Sequence, residues 1–212
     1  MAASSTDTAA LVDVLAARSE STWESRVIRA ASVVFVAALT AAAAQISIPL
    51  PFTAVPLTLQ PMVVLLGGLA LGSRLGLASQ VLYLAAGIAG LPVFAASLTL
   101  PPGALRLLGP TGGYLMSYPF AAFLTGYLGE RGFDRRYLTS VLALLAGLFV
   151  VYGCGVTWLG SFARVGADSA AVGMAAAVGA GVAPFLLGDI VKLFFAAGVV
   201  PGLWRLFGRT DH

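Results

Sequence analysis

The chain alternates long, uncharged apolar runs with short charged punctuation. No charged residue occurs from Ala30 to Ser73, Leu75 to Leu105, Leu107 to Gly129, Tyr137 to Ala163, or Ser169 to Gly188. A helix that crosses a bilayer needs about 20 mostly apolar residues. The first run is long enough for two, and Pro49, Pro51 and Pro56 break it in the middle, because proline removes a backbone donor and clashes with the preceding turn. The pattern predicts six helices, over roughly 27–47, 57–73, 75–91, 111–129, 137–160 and 184–206. The expected fold is therefore all-α, an integral membrane bundle of six transmembrane helices occupying residues 26–212 as one domain. The second and third helices are short, which implies little tilt or partial burial. Residues 1–25 are mixed polar and lack the charged start and cleavage pattern of a signal peptide. They are expected to form a loosely ordered cytoplasmic extension, with Leu11, Val12, Val14 and Leu15 available for a short surface helix. The Ala/Gly-rich stretch 170–183 is expected to hold a short interfacial helix before the last span.

Composition sharpens this picture. Hydrophobic residues make up 59% of the chain and charged residues 10%, against about 25% charged in soluble domains, which excludes a disordered chain and a soluble domain. Arginine sets the orientation. Arg18, Arg26, Arg29, Arg74, Arg131, Arg135, Arg136, Arg205 and Arg209 fall on one side, and only Arg106 and Arg164 on the other. Nine against two places both termini in the cytoplasm, consistent with an even number of spans. The net charge of +3 is scattered, so no nucleic-acid partner is expected. A single cysteine and a single histidine, His212 at the end of the chain, leave no disulfide framework or metal site and no cofactor to expect.

Candidate chemistry then narrows to a few places. Asp189 and Lys192, the only lysine, lie three residues apart in the last apolar run, PFLLGDIVKLFFAAGVV, and so share a helix face. Ionisable groups inside a span are costly and face protein or a polar cavity. The pair is either an internal lock or a site for a small polar ligand, with Asp189 accepting N–H donors and Lys192 donating. In GPTGGY, Gly112 and Gly113 allow close backbone approach, Thr111 is a candidate N-cap, and the free N–H groups of a helix start suit a carbonyl or carboxylate. An ordinary helix start with glycines for packing is the equal alternative. The uncharged, Pro-rich segment Ile48–Gln60 is either a lid or a plain re-entrant connector, and Gln60 is an unusual polar residue at the start of the second helix. Arg106, in the long loop 90–109, is a carboxylate partner or an interfacial anchor. Ala37 with Ala41, and Ala38 with Ala42, give the first helix small residues four apart, which permit close helix packing.

The strings VPLTLQ, YLAAGIAGLPVFA, GPTGGYLMSY and PFLLGDIVK together resemble the biotin transporter family BioY, the substrate-capture (S) components of energy-coupling factor transporters. The resemblance runs from about residue 26 to 206. It implies a six-helix membrane fold with biotin bound near the outer surface. The first outer loop and the loop between helices three and four would close over it. Asp189 and Lys192 would contact biotin directly, with Gly112, Gly113 and Tyr114 contributing from the second motif. Phe52, Phe94, Tyr114 and Phe185 would wall the thioether ring and valeryl chain. The asparagine that some members carry before GPTGGY has no counterpart in residues 95–105. The resemblance further implies partners: a transmembrane coupling protein with two cytoplasmic ATPases, docked through Ala37 and Ala41 or Ala38 and Ala42, in a membrane of lipid. The chain itself has no phosphate-binding GxxxxGK[ST] motif. Two further readings stand beside biotin capture: an S component for another small vitamin, and a membrane assembly protein with Asp189–Lys192 as a buried lock. An intramembrane enzyme is not expected, because His212 is terminal, Cys154 stands alone, and no serine shares the segment of Lys192.

Overall fold

A computed structural model describes residues 10–17, 19, 21–97, 100–163 and 173–207. Residues 1–9, Arg18, Arg164, Arg209 and His212 lie outside the described residues, as does the start of the 170–183 stretch. The chain folds as a helical bundle: α1 (Leu11–Ala17), α2 (Thr22–Gln45), α3 (Gln60–Leu71), α4 (Ser73–Ile88), α5 (Leu105–Leu108), α6 (Gly112–Leu128), α7 (Tyr137–Ser161), α8 (Met174–Gly181), α9 (Ala183–Ala196) and α10 (Val199–Phe207). Among the described residues, three stretches are long and apolar enough to cross a membrane: Thr22–Gln45, Tyr137–Ser161 and Ala183–Leu206.

Helix positions follow the charge-free runs, with instructive differences. The Pro-rich segment is not wholly irregular. Ser47–Ile48 (β1) pairs antiparallel with Leu57–Thr58 (β2), so this stretch is a small hairpin that satisfies part of its own backbone. The last apolar run is two helices, interrupted at Ala197–Gly198. Residues 11–17, expected as part of a loose extension, form a packed helix. Leu11, Val12 and Ala16 are buried, Ala10 and Val12 cluster with Val36 and Leu71, and Asp13 pairs with Arg29 at 2.9 Å.

The interior and surface are arranged for an apolar solvent. Phe35, Phe120, Leu138, Phe149, Leu187 and Phe195 point outward, while Thr40, Gln60, Ser79, Gln80, Ser117, Thr125 and Asp189 are buried. Hydrocarbon cannot satisfy polar groups, so they turn inward and find partners. Thr40 and Thr125 donate to carbonyls of the preceding helical turn. The α3 helix is central and almost wholly buried. Its Gly68 leaves no space for a Cβ beside Ala122 and Thr125 of α6, the close backbone approach that holds membrane helices together.

Two carboxylates tie the arginine-rich end. Glu130, in the π-helical turn 129–133 after α6, accepts from Ser73 N at 2.7 Å and Ser73 Oγ at 2.8 Å, capping the start of α4. Asp134 accepts from the Trp204 indole on α10 and from Arg135 Nε at 3.1 Å. The Arg135 guanidinium lies 3.5 Å above the Trp204 ring. Burial raises the Asp134 carboxyl above its usual range, against the opposing pull of Trp204 and Arg135.

Candidate ligand-binding site

At the opposite end of the bundle a cavity of about 250 Å³ lies beneath the β1–β2 hairpin. Its walls come from the hairpin, the loop after α4, and helices α3, α5, α6, α7, α8 and α9. Among the residues singled out in the sequence, Gln60, Phe94, Arg106, Thr111, Tyr114, Phe185 and Asp189 line it.

Each wall residue is held by its element. Phe94 is buried where Gly87 of α4 leaves room for its ring, and Tyr83 meets it edge-on at 5.4 Å between centroids. Gln60 Nε2 donates to the Tyr83 hydroxyl, so this polar side chain is satisfied across α3 and α4. Tyr114 occupies space left by Gly155 and Gly181 and donates to the Gly181 carbonyl at 2.9 Å, joining α6 to α8. Arg106 turns back over its own loop, with Nε donating to Pro101 O at 3.0 Å and Nη1 to Ala95 O at 2.7 Å. No ion pair to Arg106 occurs among the described residues. Burial lowers its pKa, yet a guanidinium stays charged. The anchor reading and the cavity reading thus both describe this side chain.

Asp189 accepts from Lys192 Nζ on Oδ1 at 2.8 Å and from the Tyr152 hydroxyl on Oδ2 at 2.6 Å. An ionised carboxylate has about four acceptor positions, so this one retains capacity toward the cavity that it lines. Lys192 has a second bond. Its ammonium also donates to Thr58 O at 3.1 Å, and it is not among the lining residues. It ties the hairpin to α9 and partners Asp189.

Four other sets of expected residues fall as follows. Gly112 and Gly113 do not line the cavity. A Cβ on Gly112 would overlap the Leu107 carbonyl, and one on Gly113 would overlap Trp158 and the Cys154 carbonyl, so these glycines let α6 approach the α5 turn and α7. Thr111 stands at the N-cap of α6 with helical backbone angles and makes no capping bond from its side chain. Phe52, at the hairpin tip, is 65% exposed and points away, because the turn sends Thr53, Ala54 and Val55 inward instead. The alanine pairs of α2 divide: Ala37 is buried and Ala41 packs against the same core, whereas Ala38 and Ala42 are exposed.

Sequence reasoning missed Tyr152, Tyr118 and Thr53. The first two line the cavity from α7 and α6, but tyrosines in apolar helices carry no signal of their own. Thr53 Oγ1 donates to Ala180 O at 2.8 Å, fastening the hairpin to α8. Only its place in the Pro-rich segment pointed toward it. A third fastening, Gln45 Nε2 to Pro92 O at 3.2 Å, joins the end of α2 to the loop after α4.

The cavity is thus apolar in its walls, with an acceptor at Asp189 and a cation at Arg106. It is slightly smaller than the roughly 300–1,000 Å³ of typical small-molecule pockets. The sequence model of the BioY family matches residues 16–209. The probable biotin transporter BioY of Pyrococcus horikoshii is 44% identical over 173 residues, which span 82% of this chain and 92% of that protein. The biotin transporter BioY of Thermotoga maritima is 35% identical over 169 residues, 80% and 91% of the two chains. In three dimensions the chain resembles the crystal structure of the S-component for biotin from an ECF-type ABC transporter, with a TM-score of 0.71, 25% identity, and coverage of 88% of this chain and 95% of that one. A family match across nearly the whole chain, joined to the same fold, establishes that this integral membrane protein belongs to the BioY family.

Proposed function

We propose that this protein captures biotin and carries it across the cytoplasmic membrane as the substrate-specific subunit of an energy-coupling factor transporter. The observation that carries this reading is one cavity holding a buried acceptor, Asp189, and a cation, Arg106, that pairs with no acid among the described residues, between apolar walls. Biotin has the matching parts. Its ureido ring offers an N–H donor to Asp189, its carboxylate suits a guanidinium, and its thioether ring and alkyl chain need walls such as Phe94, Tyr114 and Phe185. The protein is not an enzyme: it binds and releases an unchanged vitamin.

Six spans with both termini in the cytoplasm complete this reading, with α2, α3, α4, α6, α7 and the α9–α10 pair as the spans. The arginine-rich end then faces the cytoplasm, with α1 packed at that end, and the cavity opens outward. Energy comes from partners: a transmembrane coupling protein and two cytoplasmic ATPases. Ala38 and Ala42 present small residues on the outward face of α2 and are the docking candidates.

Calorimetric titration of biotin into the detergent-purified protein tests the site. Saturable binding near one site per chain, lost in Asp189→Asn while that variant stays monodisperse, is the expected result. No heat from a folded wild type would overturn the biotin reading, and an Asp189→Asn chain that fails to fold would favour the buried-lock reading.

A further inference from the structure

Tyr152 is the one direct partner of Asp189 that no motif announced. It stands in the middle of α7 and donates its hydroxyl to Oδ2, the oxygen that Lys192 leaves open. Its ring meets Tyr114 edge-on, with centroids 6.4 Å apart and planes at 88°. Tyr114 is itself fixed by the Gly155 and Gly181 spaces and by its bond to the Gly181 carbonyl. The direction of the Tyr152 hydroxyl is therefore set by packing, and the carboxylate it grips has little freedom to rotate. Together, one ammonium and one phenol offset the negative charge of Asp189. An acceptor so compensated matches neutral N–H donors. It gains less from a full positive charge than a bare carboxylate does.

We propose that Tyr152 is a positioning and specificity residue: its hydroxyl aims the Asp189 carboxylate at a neutral ureido N–H group and disfavours a cationic group in its place. This rests on the biotin reading above. The test compares biotin with 2-iminobiotin, in which a protonated guanidinium replaces the neutral urea, at a pH where that group is charged.

Tyr152→Phe removes one oxygen and keeps the ring contact. Biotin binding to this variant is expected to weaken about tenfold, the scale of one hydrogen bond to a charged group. The protonated analogue is expected to lose less, so the preference for biotin narrows. Tyr114→Phe, whose lost hydroxyl bonds backbone rather than the carboxylate, is expected to weaken both ligands in equal proportion. Unchanged binding of both ligands in Tyr152→Phe would overturn the proposal. Equal loss of both would reduce Tyr152 to packing and also overturn it. A narrowed preference in Tyr114→Phe would assign the effect to the aromatic cluster rather than to Tyr152. A folded wild type that binds no biotin would remove the biotin reading itself, and is told apart because it needs no variant.

Discussion

At the scale of single residues, the site is a matter of which polar groups the fold leaves unspent. Asp189 spends one acceptor position on Lys192 and one on Tyr152, and Arg106 spends Nε and Nη1 on loop carbonyls. What remains faces the cavity. A carboxylate bound at Arg106 forms a charge-assisted bond of about 1.5–3 kcal/mol. Arg106→Gln is accordingly expected to weaken biotin by roughly ten- to a hundredfold and to leave the methyl ester, which has no charge to offer, much less affected. Equal losses for acid and ester in a titration would assign Arg106 to holding its loop alone. Asp189 was legible because a carboxylate in an apolar run contrasts with everything around it, and the same contrast exposed Lys192. Contrast names a residue without giving its direction. The lysine read as a ligand contact, and the structure adds that its ammonium also reaches the hairpin carbonyl of Thr58. Tyr152 offered no contrast at all, since its partner is 37 positions away.

At the scale of elements, glycine placement decides how closely the helices meet. Gly113 faces Trp158 and the backbone of α7 without room for a Cβ, while Gly153, also on α7, has nothing within 4 Å of where one would sit. Gly113→Val is expected to force α6 from α7 and lower the melting temperature by several degrees or prevent folding. Gly153→Ala is expected to be tolerated or to stabilise by up to about 1 kcal/mol, through helix propensity alone. Thermal unfolding in detergent separates the two, and a Gly113→Val chain as stable as wild type would contradict the packing account. Element positions were readable from the charge-free runs because bilayer length and solvation demand them. The two-residue strands and the break at Ala197–Gly198 were not readable. A pairing that short has no periodicity, and Gly198 is one of 25 glycines, most of them inside helices or turns with no distinguishing neighbour.

For the whole molecule, the two ends carry different duties. The arginine-rich end is fastened by two acids, of which Asp134 is buried, and its stability is expected to depend on pH. Burial raises the Asp134 carboxyl. Its contribution is therefore complete below the unfolded value, about pH 4, and is lost as pH climbs through the raised folded value. The melting temperature of wild type is expected to fall relative to that of Asp134→Asn across that climb, and a difference that stays flat with pH would refute the assignment. The lateral face is a second whole-molecule property. Ala38→Trp with Ala42→Trp is expected to leave biotin capture intact and to abolish co-purification with the proposed coupling protein. Loss of both together, read by titration and pull-down, would mean the face belongs to the fold rather than to docking.

The side-chain amide of Gln45 gives this division a mechanical meaning. It grips the carbonyl of Pro92, beside the cavity wall at Phe94, from the last turn of α2, and Ala42 lies one turn earlier on that helix. A helix of 24 residues is a rod about 36 Å long at 1.5 Å per residue. A partner that tilted this rod through Ala38 and Ala42 would act within about two turns of the Gln45 bond, and so on the rim of the cavity.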